Sequence, residues 1–132
     1  MYQETKGSLF TAPQLRWGVI GCGVIANQMA EALMAEGRHI DGVANRTHER
    51  AAAFADKHGV ARVYDTIDDL IVAPDIDVLY LTTPHNTHIT YLRKALAAGK
   101  HVLCEKSITL NSAELAEARE LASAHGVQLM DA

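Results

Sequence analysis

Short apolar runs alternate with stretches of helical periodicity along most of this chain. Trp17-Gly18-Val19-Ile20 reads as a buried strand. From about Val24 to Glu36, Ile25, Met29, Ala32 and Leu33 recur at the spacing of one helix face. Ile40 to Ala44 predicts a second strand, and Thr47 is placed to cap a helix that runs to about His58. Ala61 to Tyr64 predicts a third strand. Thr66 and Asp69 then have the spacing of a capping box and open a short helix that stops before Pro74. Val78-Leu79-Tyr80-Leu81 is apolar on both parities, as a central parallel strand covered on both faces requires. A helix from about His88 to Ala98, with Ile89, Leu92 and Leu96 inward, leads to a strand at His101–Cys104. Asn111 and Glu114 begin a last helix, and Val127 to Met130 begins a sixth strand. Gly37, Gly59, Gly99 and Gly126 stand where four of the helices should stop.

Strands alternating with helices through short links predict an α/β domain, a doubly wound parallel sheet. Residues 1–15 read as an N-terminal tail and 16–132 as one domain, with no internal repeat and no linker. A chain of 132 residues can bury a real core. Apolar residues make up 48% and the net charge is −4, with no basic block, which argues against a nucleic-acid or anionic-membrane partner. No apolar run reaches the ~18 residues of a membrane span, and residues 1–14 lack the pattern of a secretory signal. A cytoplasmic protein is expected. Cys22 and Cys104 lie in apolar runs without a C-x-x-C pair and are read as reduced, packed thiols.

The chemistry is concentrated at the ends of the predicted strands. Gly21-Cys22-Gly23-Val24-Ile25-Ala26 spells G-x-G-x-x-A immediately after one strand and at the start of a helix. Gly21 permits the tight turn, Gly23 lets the backbone approach a pyrophosphate, and Ala26 keeps helix and strand close. The N–H groups of the first helical turn, at Val24 and Ile25, are then free to meet an anion. The plain alternative is a tight strand-to-helix turn. Gly99-Lys100 fails as a phosphate-binding P-loop, because the first glycine and the following Ser or Thr are missing.

At the end of the second strand a dinucleotide fold usually carries Asp or Glu for the ribose 2′-hydroxyl. This chain has Ala44-Asn45-Arg46-Thr47, with no carboxylate. Asn45 removes the repulsion a 2′-phosphate would meet, Arg46 can pair with that phosphate, and Thr47 and Arg50 add a donor and a second charge. The expected cofactor is therefore NADP(H), with NAD(H) possible. Arg46 stacked on adenine or left in solvent is the alternative.

Two later segments, Thr82-Thr83-Pro84-His85-Asn86-Thr87-His88 and Ala98-Gly99-Lys100-His101-Val102-Leu103-Cys104-Glu105-Lys106, together with the glycines, resemble the N-terminal domain of the Gfo/Idh/MocA oxidoreductases. The resemblance covers about Arg16 to Ala132 and implies a Rossmann fold. It further implies that Thr82, Thr83, Pro84 and His85 line the cofactor near its nicotinamide half. His88 matches the histidine of the family's T-P-N-x-x-H pattern, and Glu105-Lys106 its E-K-P motif. The family's lysine takes part in substrate binding or proton transfer, so Lys106 is the candidate catalytic residue. Its alternative is an ordinary surface lysine; for His88 it is a residue that caps or packs the following helix. His85 and His88 lack a third ligand, so no metal is expected.

Two departures from the family stand out: Ser107 replaces the proline of E-K-P, and the family's second, sheet-containing substrate domain is absent from these 132 residues. The chain is read as a fragment. If a second domain belongs on it, the face that domain would cover exposes an apolar patch, and self-association into a homo-oligomer is expected. The small-molecule substrate implied for the whole enzyme is a sugar, a cyclitol or a related hydroxy or carbonyl compound. A non-catalytic dinucleotide-binding module or redox-sensing subunit is the other class the residues allow.

Overall fold

The computed structural model describes residues 15–106 and 108–132. The predicted tail, apart from Leu15, and the departure at Ser107 lie outside the described residues. The strands are β1 (Trp17–Ile20), β2 (Gly42–Ala44), β3 (Arg62–Val63), β4 (Val78–Leu81), β5 (His101–Cys104) and β6 (Leu129–Asp131). The helices are α1 (Val24–Ala35), α2 (His48–His58), α3 (Ile67–Ile71), α4 (His88–Ala97) and α5 (Ser112–Ala124). A single 3-10 turn at His85–Thr87 precedes α4.

All six strands are parallel, in the order β3-β2-β1-β4-β5-β6. The chain winds outward from β1 in one direction and then, through β4, in the other. Right-handed crossovers in opposite directions deliver helices to opposite faces. One face carries α1 and α2, packed through Ala26, Met29, Ala30, Leu33, Ala51 and Phe54. The other carries α3, α4 and α5, packed through Leu70, Ile71, Leu92, Leu96, Ala118 and Ala122. The double parity of β4 is used in full: Val78 and Tyr80 point to the first core, Leu79 and Leu81 to the second.

Local signals set the helix ends. Thr66 Oγ1 accepts from the Asp69 N–H at 3.0 Å. Asn111 Oδ1 accepts from the Glu114 N–H at 2.9 Å, while Glu114 accepts in return from Leu110 N–H at 3.1 Å. Each such cap contributes about 1 kcal/mol. The four helix-closing glycines all adopt positive φ. Lys100 is buried, and its ammonium donates to the Ala73 carbonyl and to that of Ile76 at 2.8 Å, closing the link between α3 and β4. Its ammonium is thus engaged inside the fold.

Several expectations need adjustment: β3 is confined to Arg62–Val63 within the expected 61–64, and Thr47 stands at the N-cap of α2 without a side-chain cap hydrogen bond among the described residues. The inward stripe of α1 is Ala26, Met29, Ala30 and Leu33; Ile25 is 42% exposed and Ala32 is exposed. Small alanines meet the sheet because the G-x-G-x-x-A turn brings α1 close to it, which leaves no room for Ile25 on that side. The strand at 40–44 is shorter at its start: Ile40 is buried, but Asp41 N–H bonds the Trp17 carbonyl at 2.8 Å before regular pairing begins. The last strand is displaced by one to two residues, to Leu129–Asp131.

Candidate functional site

The winding direction reverses between β1 and β4, so the loops after these two strands part and leave a crevice at their carboxyl ends. It is a cleft of about 330 Å³. Its walls come from three places: Gly21, Cys22 and Gly23 after β1; Asn45, Arg46, Thr47 and Arg50 after β2; and Thr82, Thr83, Pro84, Thr87 and Tyr91 after β4.

Gly21 has φ of +100°, a conformation in which an L side chain is strained. A Cβ there would also overlap the Thr82 hydroxyl, which donates to the Ile20 carbonyl at 2.8 Å. Gly21 N–H bonds the Ala44 carbonyl at 3.0 Å, so the turn is tied to both neighbouring strands. Gly23 is the N-cap of α1 with extended backbone, and a Cβ there would meet nothing within 4 Å. The two glycines thus do different work, one for the turn and one for open space in front of a helix N-terminus. Among the described residues no side chain caps that terminus, which leaves its N–H groups available to an anion.

After β2, Asn45 Nδ2 donates to the Thr47 carbonyl at 3.2 Å and bends the chain so that Arg46 is exposed at the cleft. Arg46 and Arg50 make no ion pair among the described residues. Burial pushes the Cys22 thiol up to about 11, against the pull of the Arg50 charge. At neutral pH Cys22 is a protonated, half-buried wall of the cleft.

After β4, Thr83 and Thr87 share a hydroxyl hydrogen bond of 2.8 Å, and Thr87 Oγ1 donates to the Pro84 carbonyl at 2.6 Å. His88 is buried behind them. Its Nε2 donates to the Thr83 carbonyl at 2.8 Å, and its Nδ1 lies 3.1 Å from the Ile108 carbonyl and 3.3 Å from Cys104 Sγ. The histidine therefore joins the loop after β4 to the segment after β5. Burial, with Glu105 and Asp131 adding to it, pushes the Cys104 thiol up to about 12.

The structure brings nine sequence-predicted residues together in the cleft: Gly21, Gly23, Asn45, Arg46, Thr47, Arg50, Thr82, Thr83 and Pro84. It sets others around it. Val24 and Ile25 are exposed in the first turn of α1, Ala26 is buried beneath them, and His85 is exposed in the 3-10 turn. Glu105 accepts a hydrogen bond from the Tyr80 hydroxyl. Burial, the hydrogen bond and the Glu105 charge hold that phenol well above its ordinary range, so Tyr80 stays a neutral donor. Lys106 is exposed just beyond β5. Sequence reasoning missed Cys22, Thr87 and Tyr91 as wall residues. The signal for Tyr91 was its place four residues after Thr87, a spacing that returns to the cleft side.

A parallel 3-2-1-4-5-6 sheet with a glycine turn and an open helix N-terminus at its switch point defines a dinucleotide-binding Rossmann domain. The family model for the oxidoreductase family with an NAD-binding Rossmann fold matches residues 15–132, and the chain belongs to that Gfo/Idh/MocA family. It is 37% identical over 121 residues to the trans-1,2-dihydrobenzene-1,2-diol dehydrogenase of Mus musculus, covering 89% of this chain and 36% of the relative. It is 35% identical over 107 residues to the 1,5-anhydro-D-fructose reductase of Ensifer adhaerens, covering 80% and 31%. Among solved structures, a 3-ketoreductase from Actinomadura kijaniata in complex with NADP and TDP-benzene superposes with a TM-score of 0.85 at 32% identity, covering 90% of this chain and 37% of that one. The chain thus spans about a third of the length of the relatives it matches. Among the described residues no helix is long and apolar enough to cross a membrane.

Proposed function

We propose that this chain is the cofactor half of an NADP(H)-preferring oxidoreductase. When bound, the nicotinamide supplies or accepts the hydride. The protein's part is to hold and orient. The first turn of α1, at Gly23, Val24 and Ile25, receives the pyrophosphate over Ala26. Arg46, Arg50, Thr47 and Asn45 receive the 2′-phosphate, with Tyr91 as a wall for the adenine. Thr82, Thr83, Pro84 and His85 face the nicotinamide half, with His88 fixing their loop from behind. Glu105, held by Tyr80, sets the start of the segment that carries Lys106. Lys106 binds substrate or moves its proton. The substrate is a sugar, a cyclitol or a related hydroxy or carbonyl compound, the class suggested by the names of the diol dehydrogenase and anhydrofructose reductase relatives.

The observation that carries the NADP(H) preference is a pair of arginines without an ion-pair partner among the described residues, at a strand end that has no carboxylate. A charge-assisted arginine–phosphate contact contributes about 1.5–3 kcal/mol, roughly ten- to a hundredfold in affinity. Calorimetric titration of NADPH and NADH into the wild type and Arg46→Ala tests it. NADPH should bind more tightly to the wild type, and the variant should lose most of that margin. Equal affinities in the wild type, or a margin that survives in Arg46→Ala, would exclude this reading.

A further inference from the structure

We propose that His58 and Asn27 are a positioning pair that holds the glycine-rich turn in its phosphate-receiving orientation, an inference that rests on the dinucleotide reading of the cleft. Asn27 is the fourth residue after Gly23, on the first turn of α1. Its Nδ2 donates to the Gly23 carbonyl at 2.8 Å and reaches the Cys22 carbonyl at 3.4 Å. Its Oδ1 lies 2.6 Å from Nε2 of His58, the last residue of α2. His58 is 6% exposed, and its ring leans on Phe54 with centroids 4.6 Å apart.

The assignment of these atoms follows from what each can do. The two loop carbonyls only accept, so the amide NH2 must face them and the amide oxygen must face His58. That oxygen also only accepts, so His58 Nε2 carries the hydrogen in either protonation state. The bond is a brace and not a pH switch.

Its consequence lies in the peptide planes. In a trans peptide the N–H points opposite to the carbonyl of the preceding residue. The Gly23 carbonyl is held toward the body of α1 by both the Asn27 N–H, at 3.1 Å, and the Asn27 side chain. The Val24 N–H is therefore turned out of the helix end. The hold on the Cys22 carbonyl does the same for the Gly23 N–H. These are the donors that a pyrophosphate would need. The brace also runs between the two parts of the cleft: α2 begins beside Thr47 and Arg50, at the proposed 2′-phosphate end, and finishes at His58 behind the glycine turn.

The test compares wild type with His58→Leu, which keeps the apolar contact with Phe54 and removes the donor, with His58→Gln, whose amide N–H can reach Asn27 Oδ1, and with Asn27→Ala. Affinities for NADPH and NADH are measured by fluorescence titration, and thermal midpoints without cofactor. Both dinucleotides share the pyrophosphate, so His58→Leu and Asn27→Ala should weaken both by the same factor, roughly threefold to tenfold for one or two hydrogen bonds. The ratio between the cofactors should stay at its wild-type value, and His58→Gln should restore binding. Wild-type affinity in Asn27→Ala overturns the proposal. So does a loss of binding that tracks the loss of thermal stability and is not rescued in His58→Gln, or a shift in the cofactor ratio. Failure of the arginine reading would show elsewhere, as a wild-type ratio near one.

Discussion

Substituting Gly21 and Gly23 separately should split folding from binding, although the two residues stand two positions apart in one motif. At Gly21, alanine must adopt φ near +100°, which costs about 1–2 kcal/mol for an L-residue. Its Cβ also displaces the Thr82 hydroxyl from the Ile20 carbonyl, a loss of about 0.5–1.5 kcal/mol. Together these amount to about 1.5–3.5 kcal/mol, or a fall on the order of 10 °C in the thermal midpoint of a domain this size. At Gly23 the backbone is extended at φ −85°, and a Cβ meets nothing within 4 Å. Valine there is a poor N-cap, at a cost of about 0.5–1 kcal/mol, but it restricts the unfolded chain by about as much. Gly23→Val should therefore melt within a few degrees of the wild type. Its side chain, however, occupies the space a pyrophosphate needs, and affinity for NADPH should fall by roughly tenfold or more, the worth of one lost charge-assisted hydrogen bond. Differential scanning fluorimetry without cofactor, paired with calorimetric titration, reads both quantities. A Gly23→Val protein that melts as low as Gly21→Ala, or that binds NADPH like the wild type, would refute the division of labour between the glycines.

The 132 residues alone are expected to show no appreciable turnover, because Lys106 is exposed and orientation of a substrate accounts for ~7–11 kcal/mol of a typical barrier. NADPH oxidation or formation would be followed with a panel of sugars, cyclitols and diols; a rate near ~1 s⁻¹ that disappears in Lys106→Ala would overturn this. The second expectation concerns pH. Burial, followed by the Lys57 charge and opposed by Glu31, lowers the pKa of His58 below its ordinary 6.5. The unfolded chain then binds the proton first, so this contribution to stability is intact above pH 6.5 and declines as pH falls below it. The denaturant midpoint should drop more between pH 7.5 and 5.5 in the wild type than in His58→Gln, and equal drops would remove His58 as the cause.

What could be read from sequence alone is what depends on neighbours along the chain. The alternation of strands and helices, the capping residues Thr66 and Asn111, and the G-x-G-x-x-A turn between β1 and α1 all rest on backbone geometry within a few residues. So does the absence of a carboxylate after β2. The parallel, doubly wound character of the sheet followed from the same pattern, because short links between alternating strands and helices leave few alternatives. Tertiary structure decided which side chains meet. The inner stripe of α1 runs through Ala26 and Ala30, because the distance to the sheet, and not hydrophobicity, selects the residue that fits. Tyr80 finds Glu105 only because β4 and β5 are adjacent and in register, and Asn27 finds His58 across thirty-one positions only because α1 and α2 pack on one face. Periodicity reports which way a side chain faces within its own element. The partner it meets there depends on strand order and helix placement, and these exist only once the chain has folded.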